Sequence, residues 1–228
     1  MKRDLYEEAL LSARKYLIQS HDELSEAGAI DLTDPELPVT VGILRRLRAY
    51  YMLQDTAKKT YRKRIGSDGS DFFTETVAAY IQAAVRSGGW TSDDATEAYE
   101  RGVFVNSEEC LIKKKGQSRP DISFWRKGRP FAVIECKTQM GWCRDGWELE
   151  FNEREKKLQD EIPGIGVYHV ILTEKNWPGL PPAHPNTGKK WFTLCSEWPN
   201  TVKKSDLSSK VLNPIEPLLL RLLGAKCV

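Results

Sequence analysis

Acidic side chains stand at mirrored positions around a turn in the middle of this 228-residue chain. Two apolar stretches, 121–125 and 131–137, flank a polar turn at Gly128, which is typical of a β-hairpin. If the turn centres near Gly128, Asp121 lies opposite Glu135, because each is seven residues from the glycine. Directly opposed residues have Cβ atoms about 4.5–5.5 Å apart. Carboxylates that close repel each other, so we expect a cation between them.

A lysine follows two residues after the second carboxylate. Residues two apart in a strand share one face, so Glu135 and Lys137 converge with Asp121 on one patch. One or two carboxylates, completed by waters and phosphate oxygens, form a coordination shell that Mg²⁺ prefers. A metal held there would polarise a phosphodiester and lower the pKa of a bound water. Lys137 would position that water or stabilise charge on phosphorus.

Structural interpretations of these residues stay open at this point. Asp121 follows Pro120, a position where an aspartate commonly caps a turn. Glu135 and Lys137 are also compatible with an ion pair at the end of a strand.

The elements around this patch follow an α/β order with a hairpin at its centre. The periodicity predicts helices at 3–20, 40–64, 72–85, 144–161 and 214–223, and strands at 103–105 or 110–113, 121–125, 131–137, 167–173 and 191–195. Residues 1–66 are then an N-terminal helical region, an appendage to a core of residues 67–228.

The helix at 72–85 is apolar around most of its circumference, which predicts that it is buried. Ser70-Asp71 is expected to form its N-cap. Its narrow polar sector holds Glu75, Gln82 and Arg86, and this sector faces either solvent or a site.

The pattern Pro120-Asp121 … Glu135-Cys136-Lys137 resembles the signature of the PD-(D/E)XK nuclease superfamily, which includes most type II restriction endonucleases. The resemblance covers about residues 70–195 and includes the element order. It implies a restriction endonuclease-like core, in which a mixed central sheet is flanked by helices. It also implies that Asp121 and Glu135 hold the metal and that Lys137 helps to activate the attacking water. Many members add a glutamate from the preceding helix, and Glu75 matches by position.

The function implied is Mg²⁺-dependent hydrolysis of phosphodiester bonds in double-stranded DNA, with Mn²⁺ as a substitute. A type II restriction endonuclease acting as a homodimer is the first expectation. One alternative is a structure-specific or repair nuclease similar to Holliday junction resolvases. Others are a non-catalytic DNA-binding module on the same fold and a regulatory partner that docks through a basic helix.

Basic residues near the patch have two interpretations each. The loop residues Lys113, Lys114, Lys115 and Arg119 form either a solvated turn or a phosphate clamp. Gln139 keeps the phase of Glu135 and would line the site if the strand continues. The helix at 40–64 carries eight bases against one acid, which predicts either a solvated face or a phosphate-binding strip. The charged helix at 144–161 is expected to turn its exposed side to solvent.

Composition excludes several classes. The net charge is only +2, which argues against a purely electrostatic DNA binder. No apolar run is long enough to span a bilayer, and the acidic N-terminus is unlike a signal peptide. Five cysteines without a CxxC pair argue against a disulfide framework and favour a cytoplasmic location. The three histidines lack the spacing of metal ligands, which argues against nucleases built on a catalytic histidine.

Overall fold

Helices and strands together account for most of the described residues of the computed structural model. The described residues are 2–26, 30–62, 69–90, 102–108, 111, 118–139, 146–175 and 181–224. Within them, the helices are α1 (Lys2–Glu26), α2 (Pro38–Tyr61), α3 (Ser70–Ser87), α4 (Trp147–Glu161) and α5 (Glu216–Leu223). The strands are β1 (Phe104–Ser107), β2 (Ile122–Arg126), β3 (Arg129–Lys137), β4 (Gly166–Thr173) and β5 (Trp191–Cys195). Short 3₁₀ turns fill much of the segment between β5 and α5.

The strands form one mixed sheet in the order β1-β2-β3-β4-β5. Strands β1, β2 and β3 are antiparallel, whereas β3, β4 and β5 are parallel. The predicted α/β class, with a central mixed sheet flanked by helices, is confirmed. The first strand follows the earlier of its two expected positions, near 103–105.

Alternate residues of β3 bury opposite faces of the sheet. Ile134 and Cys136 pack into the main core, which contains residues of α2, α3 and α5. Val133 packs instead with Leu158 of α4. Strand β4 is buried along nearly its whole length, as expected for a parallel strand covered on both faces. The site residues Glu135 and Lys137 share the phase of Val133, so they lie on the α4 face.

Helix α3 is buried as predicted, but its N-cap differs from the prediction. Gly69 is the N-cap residue, with φ of 97°, and its carbonyl accepts from the backbone N–H of Phe73 at 2.9 Å. Ser70 and Asp71 are already inside the helix. The left-handed conformation explains this arrangement, because glycine adopts it without a steric penalty.

The N-terminal helices pack closely against the rest of the chain. In α2, Val39, Ile43, Leu44 and Leu47 belong to the same core cluster as α3 and the sheet. The boundary expected near residue 66 lies outside the described residues. The division into residues 1–66 and 67–228 therefore stays a prediction, while α2 itself is an integral layer of the core.

Helices α2 and α3 pack closely at Gly42, where there is no room for a Cβ atom. A methyl group there would overlap the ring of Tyr80 at Cε1. That ring is 1% exposed, and its hydroxyl donates to the carbonyl of Ser20 at 3.0 Å, so it has no free direction of movement. We expect Gly42→Ala to lower the free energy of unfolding by about 1–3 kcal/mol, measured by urea denaturation.

Gly146→Ala is the matched control, because nothing lies within 4 Å of the added methyl group. Equal stability of the Gly42 variant and this control would contradict the packing described for α2 and α3.

None of the helices in the described parts of the chain is long and apolar enough to cross a membrane. Cys136 and Cys195 are buried free thiols, and burial raises the pKa of both. A protonated, enclosed thiol is inert, so the cysteine between Glu135 and Lys137 contributes packing rather than a nucleophile.

Candidate active site

The hairpin register brings Asp121 and Glu135 opposite each other, although the turn is not centred as expected. The loop consists of Lys127 and Gly128, both with positive φ, as in the tight turns of two-residue hairpins. A bulge after this turn then shifts the pairing, and Ile122 faces Ile134. One step further along the same register, Asp121 faces Glu135.

The bulge has a visible cause in the paired residues. Trp125 pairs with Pro130, whereas Phe124 pairs with Ala132, so Phe131 is the extra residue. Proline lacks the N–H that a regular ladder needs, and such residues are confined to bulges and edges. The bulge restores the register that the symmetric estimate around Gly128 had predicted.

Asp121 is held against the backbone of β3. Its Oδ2 accepts from the backbone N–H of Cys136 at 2.6 Å, and its carbonyl accepts from Glu108 at 2.9 Å. Glu135 is only 5% exposed. The two carboxylates are thus fixed side by side at the end of the hairpin, where β2 begins and β3 ends.

Helix α4 supplies a cation to Glu135. Arg154 donates from Nε at 3.0 Å and from Nη2 at 2.8 Å to Oε1 of Glu135. Its Nη2 also donates to the carbonyl of Arg119 at 3.3 Å. Further along α4, the Glu161 carboxylate accepts from the backbone and hydroxyl of Ser118. The helix therefore clamps the segment leading to Asp121 beside β3.

Burial sets the electrostatics of the pair. Desolvation raises the pKa of Asp121, opposed mainly by the hydrogen bond from Cys136. Desolvation also raises the pKa of Glu135, opposed first by the hydrogen bonds from Arg154, while the nearby Asp121 adds to the rise. Burying two adjacent carboxylates is costly, and an added cation would offset that cost.

Lys137 lies in an open cleft of about 420 Å³ on the α4 side of the sheet. The cleft is lined by residues of three elements, β3, α4 and β4: Glu135, Lys137, Glu150, Phe151, Glu153, Arg154, Lys157 and His169. One side of α4, which was expected to face solvent, therefore forms a wall of the site. The cleft has the volume of a small-ligand site.

His169 of β4 pairs directly with Glu135 in the parallel ladder. It is 2% exposed and stacks on Phe151, with ring centroids 3.8 Å apart. Burial, reinforced by Lys137 and Arg154, lowers the pKa of His169 to about 3. The ring is therefore neutral at physiological pH, and its Nδ1 has no hydrogen-bond partner among the described residues.

The donor set fits a magnesium ion bound partly by its substrate. In the described parts of the chain, no three His, Cys, Asp or Glu side chains cluster closely enough to enclose a metal alone. Mg²⁺ is commonly held by one or two carboxylates, with waters and phosphate oxygens filling the other positions. Asp121 and Glu135 match that pattern, because they are adjacent and carry two carboxylates whose ionised forms burial disfavours.

Glu75 has contacts outside this cleft. Its side chain is 68% exposed and pairs with Arg46 of α2 at 3.3 Å. Helix α3 lies on the main-core face of the sheet, opposite to Glu135, since its Phe73 and Val77 belong to the same core cluster as Cys136. The placement of Glu75 as a further metal ligand therefore gains no support from its contacts and stays a prediction.

The other predicted DNA-contacting residues are Lys113, Lys114, Lys115, Arg119 and Gln139. Lys113, Lys114 and Lys115 lie outside the described residues. Arg119 is exposed, next to the segment that carries Asp121. Gln139 lies beyond the last residue of β3 and is not among the residues that line the cleft.

The basic strip of α2 is partly used inside the protein. Arg46 pairs with Glu75 and lies over the ring of Phe72, and Arg48 donates to the carbonyl of Val202 at 2.8 Å. Toward the end of the helix, the residues Lys58, Lys59 and Arg62 are exposed. Among the described residues of the strip, these three exposed bases are available to a phosphate backbone.

Arg154 and His169 were not predicted from the sequence as residues of the site. Arg154 is one of several charges on a helix whose pattern does not mark the face toward the sheet. His169 did carry a signal, since it interrupts the apolar strand β4 in phase with Val167 and Ile171. A polar residue at an inward position of a fully buried strand indicates a site or a satisfied core contact.

Comparison with known proteins does not assign a function to this chain, so a function must be argued from the residues of the site. No family model matches the chain, and no curated protein shows significant similarity to it. A solved structure of the native BbvCI A2B2 tetramer is similar over 96% of this chain and 86% of that chain, with 11% identity and a TM-score of 0.43. Similarity at that level does not identify a family, and the α/β fold stated above rests on the observed sheet and helices.

Proposed function

We propose that this protein is a Mg²⁺-dependent DNA endonuclease of the PD-(D/E)XK type. One observation carries the proposal: the hairpin register, continued one step beyond Ile122 and Ile134, sets Asp121 opposite Glu135, and Lys137 on the same face of β3 lines the same cleft as Glu135. A structural ion pair would not require a second, half-buried carboxylate beside the buried Glu135, with burial raising the pKa of both groups. Carboxylates with raised pKa values are common at functional sites.

The roles follow from the positions of the side chains. Asp121 and Glu135 would hold Mg²⁺, which would stabilise charge on the scissile phosphate and activate a water. Lys137, on the same strand face, would donate a hydrogen bond to that water or to a phosphate oxygen. The neutral ring of His169 and the ring of Phe151 form the apolar base of the cleft beside Glu135.

Double-stranded DNA is the proposed substrate, and a type II restriction endonuclease acting as a homodimer is the proposed role. The exposed bases Arg119, Lys58, Lys59 and Arg62 are candidates for phosphate contacts. A homodimer would place two equivalent clefts on the two strands of one duplex. A cytoplasmic location is proposed with this role.

The test is cleavage of three DNAs by the purified protein: supercoiled plasmid, linear phage DNA and a synthetic four-way junction. Each is incubated with Mg²⁺, Mn²⁺ or EDTA. We expect discrete fragments from plasmid and phage DNA in either metal, and none in EDTA.

The substrates separate the alternatives. Cleavage restricted to the junction would replace restriction with a structure-specific role. Binding without cleavage on all three DNAs, with a strong salt dependence, would identify a DNA-binding module. Absence of both binding and cleavage at low salt would contradict the proposed function.

A further inference from the structure

The Arg154 guanidinium is hydrogen-bonded to the carboxylate of Glu135 at the proposed metal site. Both its Nε and its Nη2 donate to one oxygen, Oε1, at 3.0 and 2.8 Å. The same Nη2 donates to the carbonyl of Arg119, at the start of the segment that leads to Asp121. One side chain of α4 thus spans the two parts of the chain that carry the carboxylates.

This contact opposes the binding of a metal ion to the same oxygen. Both N–H groups of Arg154 approach Oε1 from the same side and cover it there. A divalent cation on Oε1 would also stand within a few ångströms of the positive guanidinium, where like charges repel. The guanidinium and the cation therefore compete for Glu135.

We propose that Arg154 is a positioning residue that holds Glu135 until a divalent cation displaces it, and that the freed guanidinium then binds a DNA phosphate. The inference rests on the proposed metal site at Asp121 and Glu135. Arg154 is 25% exposed and lines the same cleft as Lys137. Arginine matches phosphate oxygens with paired N–H donors, so a phosphodiester in this cleft is the natural second partner.

The first test measures Ca²⁺ affinity of the DNA-free protein by isothermal titration calorimetry. Wild type, Arg154→Met and Lys157→Met are compared, because Lys157 lines the same cleft and its replacement removes the same charge. We expect Arg154→Met to bind Ca²⁺ at least about fivefold more tightly than wild type and more tightly than Lys157→Met. An affinity equal to that of Lys157→Met, or below that of wild type, would overturn the inference.

The second test uses the wild-type protein and does not depend on a variant folding correctly. The Nε–H resonance of Arg154, identified by its loss in Arg154→Lys, is followed by NMR during Ca²⁺ titration. We expect it to shift and to exchange faster with solvent as Glu135 is released. A resonance that does not move at saturating Ca²⁺ would contradict displacement.

The third test concerns the phosphate contact. DNA binding to a short duplex in Ca²⁺, without cleavage, should be weaker in Arg154→Met, and the slope of log affinity against log salt should fall by about one. An unchanged slope would refute the phosphate contact.

These results separate this inference from the proposed function. No Ca²⁺ binding by the wild-type protein, either alone or with duplex DNA, would remove the metal site and the nuclease proposal with it. Ca²⁺ binding that leaves Arg154 in place would overturn only the role of Arg154. Displacement of Arg154 without DNA cleavage under any condition would support the competition and contradict the nuclease.

Discussion

Asp121→Asn should abolish cleavage and at the same time stabilise the protein. The rate of plasmid cleavage in Mg²⁺ is expected to fall at least about 100-fold, because a neutral amide is a poor substitute for a metal-binding carboxylate. The amide oxygen still accepts the hydrogen bond that Cys136 N–H now donates at 2.6 Å. Local structure should therefore persist while the charge is removed.

The stabilisation expected for the Asp121→Asn variant increases with pH. Desolvation raises the pKa of Asp121 in the folded state, so the folded protein loses stability as pH rises above the unfolded pKa of about 3.8. The amide of the Asp121→Asn variant does not ionise, so the variant has no such loss. We expect the variant to have a higher Tm than the wild type at pH 7, by a difference that shrinks toward pH 4.

The measurement pairs thermal unfolding at pH 4 and pH 7 with the plasmid assay. Retained cleavage would remove Asp121 from the active site. Lost cleavage with lower stability at pH 7 would mean that the carboxylate is structural, contrary to its proposed role as a metal ligand.

Glu216→Ala is expected to cause the largest loss of stability. The carboxylate is 1% exposed and accepts from the backbone N–H groups of Val39 and Thr40 at 3.0 and 2.8 Å, and from the Thr40 hydroxyl. These N–H groups belong to the first turn of α2, where Leu37, the N-cap residue, has no side-chain cap. Glu216 therefore caps α2 from the first turn of α5 and favours its dipole.

Removing this cap leaves several buried donors without partners. Each costs about 1–3 kcal/mol, so we expect a loss of about 3–5 kcal/mol, or roughly 6–20 °C in Tm. Glu8→Ala, at an exposed position of α1, is the control and should stay within about 0.5 kcal/mol of wild type.

A double-mutant cycle with Thr40→Val tests the contact itself. The Thr40 hydroxyl donates to Glu216 and accepts from the backbone of Ile215. The two substitutions should be strongly non-additive, since they disrupt one network. Additive effects would show that Glu216 stabilises the fold by some other route.

Local patterns predicted the elements of this fold because period and composition carry that information. The apolar runs of β3, β4 and β5 and the buried face of α3 are explicit in the sequence. The facing of Asp121 and Glu135 was also predictable, since hairpin register follows from the turn. That prediction depended on two compensating features, a turn shifted toward Lys127 and a bulge at Phe131.

Contacts between distant segments were not predictable. Glu216 caps a helix that begins about 180 residues earlier, and nothing near either residue indicates the other. Arg154 reaches Glu135 because of how α4 lies on the sheet, which depends on packing across the whole face. Glu75, which was predicted as a metal ligand by its position on α3, pairs with Arg46 of α2, and this contact was not predicted either.

Lys137 offers the most direct test of the central claim, because it belongs to the proposed chemistry without being a metal ligand. Single-turnover cleavage of plasmid in Mg²⁺ is compared for wild type, Lys137→Met and Lys156→Met, an exposed position on α4 outside the cleft. DNA binding in Ca²⁺ is measured alongside. The account predicts at least about 100-fold slower cleavage for Lys137→Met, with DNA still bound, and wild-type rates for Lys156→Met. Cleavage by Lys137→Met at the wild-type rate would contradict the account.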